Sequence, residues 1–116
     1  MVQFYNQVDT KYDSYEELFI HATGSVFNGT AVKEIQKRGI PLKKIVVGKP
    51  ILPSDASNTG WVNQTDLGNW AVKAFEEFNW YGGIGHWQYP SDLSGNAIND
   101  AAGQLKAKCD STKKCK

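Results

Sequence analysis

The sequence predicts an α/β fold in which three parallel strands alternate with helices and form part of a larger (β/α) barrel. Three strand-like apolar segments are separated by stretches with helical periodicity. An order of this kind gives parallel strands joined by right-handed crossovers. An isolated three-stranded parallel sheet would have two open edges, and nothing in the sequence protects them. We therefore expect the sheet to continue into further strands.

Composition and charge exclude several classes of partner. The chain has 116 residues, of which 41% are hydrophobic and 22% charged, as in ordinary globular domains. A net charge of +1 gives no reason to expect a nucleic-acid partner. No apolar run approaches the roughly 20 residues that span a bilayer, so no membrane partner is expected. The basic residues between Lys106 and Lys116 are interpreted as a solvated terminus.

The first strand is predicted from Val2 to Asn6, at the very start of the chain. No signal peptide is visible before it, and a start inside a strand is typical of a segment of a longer protein. Ser14-Tyr15-Glu16-Glu17 fits a capping box, in which the serine and glutamate side chains satisfy free amides at a helix start. A short helix with Leu18 and Phe19 buried is therefore predicted next.

A second helix is predicted from Thr30 to Arg38, because Gly39 and Pro41 both end helices. The second strand is predicted from Lys44 to Ile51. It contains the compact apolar run Ile45-Val46-Val47, which is typical of a strand covered on both faces.

The longest helix is predicted from Asp66 to Phe78, where apolar residues recur at helical spacing, with Thr65 or Asp66 as its cap. The third strand is predicted from Gly82 to Tyr89, and the last helix from Ile98 to Lys108. These elements place the domain in residues 1–108, followed by a basic, cysteine-containing tail in residues 109–116.

The cysteines and two sequons bear on the cellular compartment. Cys109 and Cys115 could form a disulfide in an oxidising compartment, and they are too few to hold a structural zinc ion. Asn28-Gly29-Thr30 and Asn63-Gln64-Thr65 match the N-glycosylation sequon. Together these features favour an extracellular parent protein.

Candidate binding residues follow the first strand, because parallel α/β folds place function at the carboxyl ends of strands. Strand alternation puts Gln3 and Tyr5 on one face and Phe4 on the other. A glutamine and a tyrosine are costly to bury without partners. They can bind the hydroxyl and acetamido groups of a sugar, or they can be satisfied by neighbouring side chains.

The third strand offers a complementary surface. Alternation puts Gly83, Gly85 and Trp87 on one face, where the glycines leave room and the indole can support a pyranose ring. His86 then points toward the helices and is interpreted as a packed histidine.

These segments resemble a known family. Gln3-Phe4-Tyr5-Asn6 resembles the sixth-strand motif of glycoside hydrolase family 18, in the branch of fungal and plant endochitinases. Ile45-Val46-Val47-Gly48-Lys49-Pro50 is similar to the seventh strand of that family, and Gly82-Gly83-Ile84-Gly85-His86-Trp87 to the eighth. The resemblance extends to about Leu105 and implies the last three β-α units of a (β/α)8 TIM barrel.

The resemblance also implies an activity, the retaining hydrolysis of β-1,4-linked N-acetylglucosamine polymers. In this family the acetamido group of the substrate replaces a carboxylate nucleophile. The resemblance implies that Gln3 and Tyr5 orient this acetamido group, Tyr5 in a supporting catalytic role, and that Trp87 forms the floor beneath the sugar. Asn6 is carried over as a further substrate-binding residue, although alternation points it away from Gln3 and Tyr5. No cofactor or metal is expected.

The sequence departs from the family in its catalytic acid. The Asp-x-x-Asp-x-Asp-x-Glu run of the fourth strand is absent. Losing a general acid removes roughly 10²–10⁴-fold of rate, so the chain alone is predicted to be inactive. The glutamates are interpreted as solvated charges on helices: Glu16, Glu17, Glu34, Glu76 and Glu77.

The expected partners are chitin or an N-acetylglucosamine oligosaccharide, and the remaining barrel half or a second copy of the chain along the sheet edges. The alternative is a non-enzymatic, lectin-like module that binds chitin or N-acetylglucosamine. A small α/β domain unrelated to sugars would need a phosphate-binding loop or an activated nucleophile, and neither motif occurs.

Overall fold

Three short parallel strands form the centre of the structure, a computed structural model that describes residues 1–116. Strand β1 is Val2–Gln3, β2 is Val47–Pro50 and β3 is Ile84–Trp87, in the sheet order β1-β2-β3. Both strand pairs are parallel. The prediction of an α/β fold with three parallel strands is confirmed.

Helices follow every strand. Helix α1 is Val32–Lys37, α2 is Gln64–Phe78 and α3 is Ala97–Thr112. A π-helical segment, Glu16–Ile20, lies between β1 and α1. Single 3-10 turns occupy Leu42–Lys44, Pro53–Asp55 and Tyr89–Ser91. None of the helices combines the length and the apolar character needed to cross a lipid bilayer.

The first strand is shorter than predicted. Its ladder continues as far as the Phe4 amide, which donates to the Gly48 carbonyl at 3.1 Å. Beyond it the chain turns, because Asn6 has a φ of 59° and donates its amide to Thr59 rather than to the sheet. Asparagine is one of the few residues that adopt this left-handed conformation readily.

The cap of α2 lies earlier than predicted. The Asn63 side-chain oxygen Oδ1 accepts hydrogen bonds from the amides of Thr65 and Asp66 at 2.9 and 3.3 Å. The prediction of Thr65 or Asp66 as the cap is therefore wrong: it followed the apolar stripe, which begins a full turn inside the helix. Asparagine is among the best N-cap residues.

The last helix continues past the predicted end at Lys108 and includes Cys109, so the expected tail begins inside it. A disulfide joins Cys109 to Cys115, and both cysteines contact the hydrophobic core. Lys108 forms an ion pair of 2.6 Å with Glu76 on α2. These contacts hold the end of the chain against the domain.

The core lies between the sheet and the helices. Phe4, Phe19, Val47 and Trp80 are all at most 1% exposed, and the rings of Phe19 and Trp80 lie 5.0 Å apart. The indole nitrogen of Trp80 donates to the Ile45 carbonyl at 2.9 Å. The covered face of the sheet is thus the one that carries Phe4 and Val47, which leaves the opposite face accessible.

One glutamate differs from its interpretation as a solvated charge. The Glu34 side chain is only 17% exposed and accepts hydrogen bonds from the Ala22 amide at 2.7 Å and from His21 at 3.0 Å. Burial alone would raise its pKa, but these hydrogen bonds outweigh burial and lower the pKa below its usual range. Glu34 therefore ties the start of α1 to the preceding loop.

Candidate functional site

A groove of about 280 Å³ lies on the uncovered face of the sheet, toward the carboxyl ends of the strands. The residues that line it are Met1, Gln3, Tyr5, Gly48, Lys49, His86 and Trp87. It brings together three of the four residues predicted to bind substrate, namely Gln3, Tyr5 and Trp87. Sequence alternation indicated that Gln3 and Tyr5 share a face, and the family resemblance implied that Trp87 belongs to the same site.

Glycines form the floor of this groove. A Cβ on Gly48 would lie 2.8 Å from the Val2 carbonyl oxygen, and one on Gly85 would lie 2.3 Å from the Met1 sulfur. At Gly48 a larger side chain would collide with the main chain of the neighbouring strand, whereas at Gly85 it would only have to displace the flexible Met1 side chain. The floor is therefore formed by main chain, over which the Met1 side chain extends.

Gln3 and Tyr5 present polar groups to the groove. The Gln3 amide nitrogen donates to the Tyr5 carbonyl at 3.1 Å, which orients the side chain and leaves its amide oxygen without a donor from the chain. The Tyr5 hydroxyl makes no hydrogen bond within the chain. Burial, followed by the negative charge of Asp55, raises the Tyr5 pKa, so this hydroxyl keeps its proton at neutral pH.

Trp87 forms the other wall of the groove at the end of the edge strand β3. It is 53% exposed, a large value for an indole. Its ring nitrogen has no hydrogen-bond partner in the chain, and the peptide bond to Gln88 is cis. An exposed indole beside polar groups can stack on the apolar face of a ring-shaped ligand.

Asn6 is separated from the groove. Its side-chain oxygen accepts the amides of Ser57 and Asn58 at 2.7 and 3.2 Å. Because the turn at Asn6 points the side chain toward the loop after β2, its carbonyl group is already satisfied. Asn6 thus points away from Gln3 and Tyr5, as alternation indicates, and orders a loop beside them. Its role as a substrate-binding residue stays a prediction.

His86 points toward the helices, as predicted for a packed histidine. Its Nε2 lies 2.6 Å from the Gln64 amide oxygen. Gln64 donates its amide nitrogen to the Ile51 carbonyl at 3.1 Å, which fixes the amide orientation and makes Nε2 the protonated ring nitrogen. Burial lowers the His86 pKa, which the charge of Asp92 only partly opposes. The buried Nδ1 has no partner.

Lys49 is the residue that the sequence analysis missed. It is 0% exposed, and its ammonium group donates to the carbonyl oxygens of Phe4, Tyr12 and Gly60 at 2.8, 2.6 and 2.8 Å. Burial lowers its pKa to about 7, opposed by the charges of Asp13 and Glu17. The sequence did contain an indication that Lys49 is buried, because alternation places this lysine on the same face of the strand as the buried Val47.

The groove contains no acidic side chain. A carboxylate outside it, that of Asp55, adds to the effect of burial in raising the Tyr5 pKa. Asp55 is itself bound by the Leu52 amide at 3.0 Å and the Ser91 hydroxyl at 2.7 Å, so it braces the loops that follow β2 and β3. No cluster of three or more histidine, cysteine or acidic side chains suited to a metal ion occurs.

Comparisons with known proteins give no match: no family model, no curated protein and no solved structure matches the chain.

Proposed function

We propose that this chain is the sixth-to-eighth-strand segment of a chitinase-like barrel of glycoside hydrolase family 18, and that its groove binds an N-acetylglucosamine unit of a β-1,4-linked polymer. The observation that carries the proposal is the convergence of Gln3, Tyr5 and Trp87 on one groove at the carboxyl ends of parallel strands. This is the position at which (β/α) barrels bind their substrates.

The groove chemistry suits an N-acetylated sugar. An acetamido group has one N–H donor and one carbonyl acceptor. The Tyr5 hydroxyl, protonated at neutral pH, can donate to the carbonyl, and the free Gln3 amide oxygen can accept from the N–H. The Trp87 indole supplies the apolar surface for the pyranose ring. A sugar without the acetamido group would leave these polar groups unpaired.

These residues orient the reacting group but do not complete the reaction. In substrate-assisted hydrolysis the acetamido oxygen attacks the anomeric carbon while an acid protonates the leaving oxygen. No carboxylate lines the groove, so the acid would come from a preceding strand of the parent protein. The chain alone is accordingly expected to bind without turnover.

The proposed setting is an extracellular parent protein. The Cys109–Cys115 disulfide agrees with an oxidising compartment, and both sequon asparagines, Asn28 and Asn63, are exposed. Strands β1 and β3 are the edges of the sheet. Either the remaining barrel strands or a second copy of the chain would pair with them.

A non-enzymatic, lectin-like module is the second candidate. It is favoured by one observation: the groups suited to sugar binding lie in the groove, whereas no acid does. In this case the same groove binds chitin or N-acetylglucosamine as its whole function.

The experiment that tests the proposal is calorimetry of the full chain with the β-1,4-linked tetramer of N-acetylglucosamine. The glucose tetramer with the same linkage is the matched control, since it differs only in carrying a hydroxyl group in place of each acetamido group. We expect binding of the first and at least tenfold weaker binding of the second. Equal affinity for both, or no binding, would contradict the proposal. Hydrolysis of the tetramer at an endochitinase rate would contradict the prediction that this chain lacks the catalytic acid.

A further inference from the structure

The Lys49 ammonium group joins three segments that are distant in sequence. Its acceptors are the Phe4 carbonyl at the end of β1, the Tyr12 carbonyl in the following loop and the Gly60 carbonyl in the loop after β2. All three hydrogens of the ammonium group are used. The lysine is fully buried, so it reaches these segments from the core side of the sheet and cannot offer its amine to a ligand.

Two of these bonds, to the Phe4 and Gly60 carbonyls, are made to main chain on either side of Tyr5. The Phe4 carbonyl belongs to the peptide unit that immediately precedes Tyr5. The other side of Tyr5 is covered by Gly60, at which a Cβ would lie 2.5 Å from the Tyr5 Cα and 2.6 Å from its Cβ. Lys49 thus holds both the chain that carries Tyr5 and the loop that packs against it.

From this geometry we infer that Lys49 is a positioning residue, which fixes the Tyr5 side chain in the groove by clamping the Phe4 and Gly60 carbonyls on either side of it. This role deepens the proposed function, and the binding measurement below rests on that function. Loss of the ammonium group is expected to displace Tyr5 and weaken recognition of the acetamido group, although Lys49 itself never touches the sugar.

The clamp depends on charge. A neutral amine has only two N–H donors, so deprotonation releases one of the three carbonyls. The groups that act on Lys49 are the carboxylates of Asp13 and Glu17, which favour the charged form, and the Tyr12 ring, whose centroid lies 5.9 Å from Nζ. Burial opposes them and lowers the Lys49 pKa to about 7, so the clamp titrates in an accessible range.

The test compares Lys49→Met with Val47→Ala in the full chain. Val47 is equally buried, lies in the same strand on the same face and does not line the groove, so its truncation controls for lost stability. We expect Lys49→Met to weaken binding of the N-acetylglucosamine tetramer at least tenfold. Val47→Ala should bind within about twofold of the unmodified chain, even if it melts at a lower temperature. Equal losses in both variants, or unchanged affinity in Lys49→Met, would overturn the inference.

A second measurement separates this inference from the proposed function and covers the case in which Lys49→Met does not fold. In the unmodified chain, NMR follows the Lys49 Cε resonance between pH 5 and 9, together with the amides of Tyr5 and Trp61, which share peptide units with the Phe4 and Gly60 carbonyls. We expect all three resonances to shift with one midpoint. If the Tyr5 and Trp61 resonances do not follow the Lys49 midpoint, the clamp is refuted. A common midpoint without binding of the tetramer would support the clamp and contradict the proposed sugar binding.

Discussion

The Gln64 amide oxygen lies 2.6 Å from Nε2 of His86, so the first residue of α2 fixes the ring that stands behind the groove. The lowered pKa of His86 follows from burial at this position. We expect the free energy of unfolding to fall as the pH drops below about 6.5, the pKa of an unfolded histidine. The sign follows because the unfolded chain then binds a proton that the folded chain resists.

Urea denaturation at pH 7.5 and pH 5 measures this loss. The variant Gln64→Glu would place a negative charge beside Nε2, raise the His86 pKa and reduce the loss at acid pH. If Gln64→Glu and the unmodified chain lose the same free energy of unfolding between pH 7.5 and pH 5, the Gln64–His86 contact does not contribute to the acid-induced loss.

Lys49 gives a pH dependence in another range. Its folded pKa is about 7, whereas an unfolded lysine titrates near 10.4. Between these values the unfolded chain binds more protons, so its contribution makes the free energy of unfolding rise from pH 7 to pH 9, by at most about 1.4 kcal/mol per pH unit. Denaturation across this interval measures the slope. Lys49→Met, if it folds, should remove the slope, and a slope that persists in the variant would assign it to another group.

Trp87 is expected to supply the stacking surface for the sugar. Because the indole is half exposed, Trp87→Ala should leave stability within about 0.5 kcal/mol while weakening tetramer binding at least tenfold. Calorimetry and thermal denaturation measure the two quantities. Tyr89→Ala is the matched control, since Tyr89 is 90% exposed nearby and does not line the groove. Equal losses of affinity in both variants would speak against a specific role for Trp87.

Asn63 is expected to stabilise the start of α2 through its cap. Asn63→Ala removes the acceptor of two helix amides and should cost about 1 kcal/mol of stability. Asn69→Ala makes the same chemical change at an exposed position inside the helix, where alanine has the higher helix propensity, so it should be neutral or slightly stabilising. Denaturant titrations of both variants compare the two positions, and equal stabilities would contradict the capping role.

The Cys109–Cys115 disulfide should contribute to stability in spite of its short loop. The two residues are separated by six positions, for which loop-closure entropy predicts about 2 kcal/mol. Replacing both cysteines with serine and measuring the unfolding free energy tests this value. An unchanged free energy would mean that the contacts of the chain end, including the Lys108–Glu76 ion pair, hold it without the bond.

The order of strands and helices was predictable because each element carries its own periodicity. The face shared by Gln3 and Tyr5 was predictable for the same reason, since alternation is a local property of a strand. Alternation does not relate the faces of different strands, so placing Trp87 with them depended on the family resemblance. The features that were not predicted depend on hydrogen bonds between residues that are distant in sequence. The turn at Asn6 depends on a loop more than 50 residues away, and the burial of Lys49 depends on carbonyl groups contributed by three separate segments.

The Asp55–Ser91 hydrogen bond gives the groove a mechanical property. It links the loops that leave two neighbouring strands, so a load applied to one loop is shared by the other. Movement of one loop is therefore passed on to the other, and a substitution that removes this bond would let the two loops move independently.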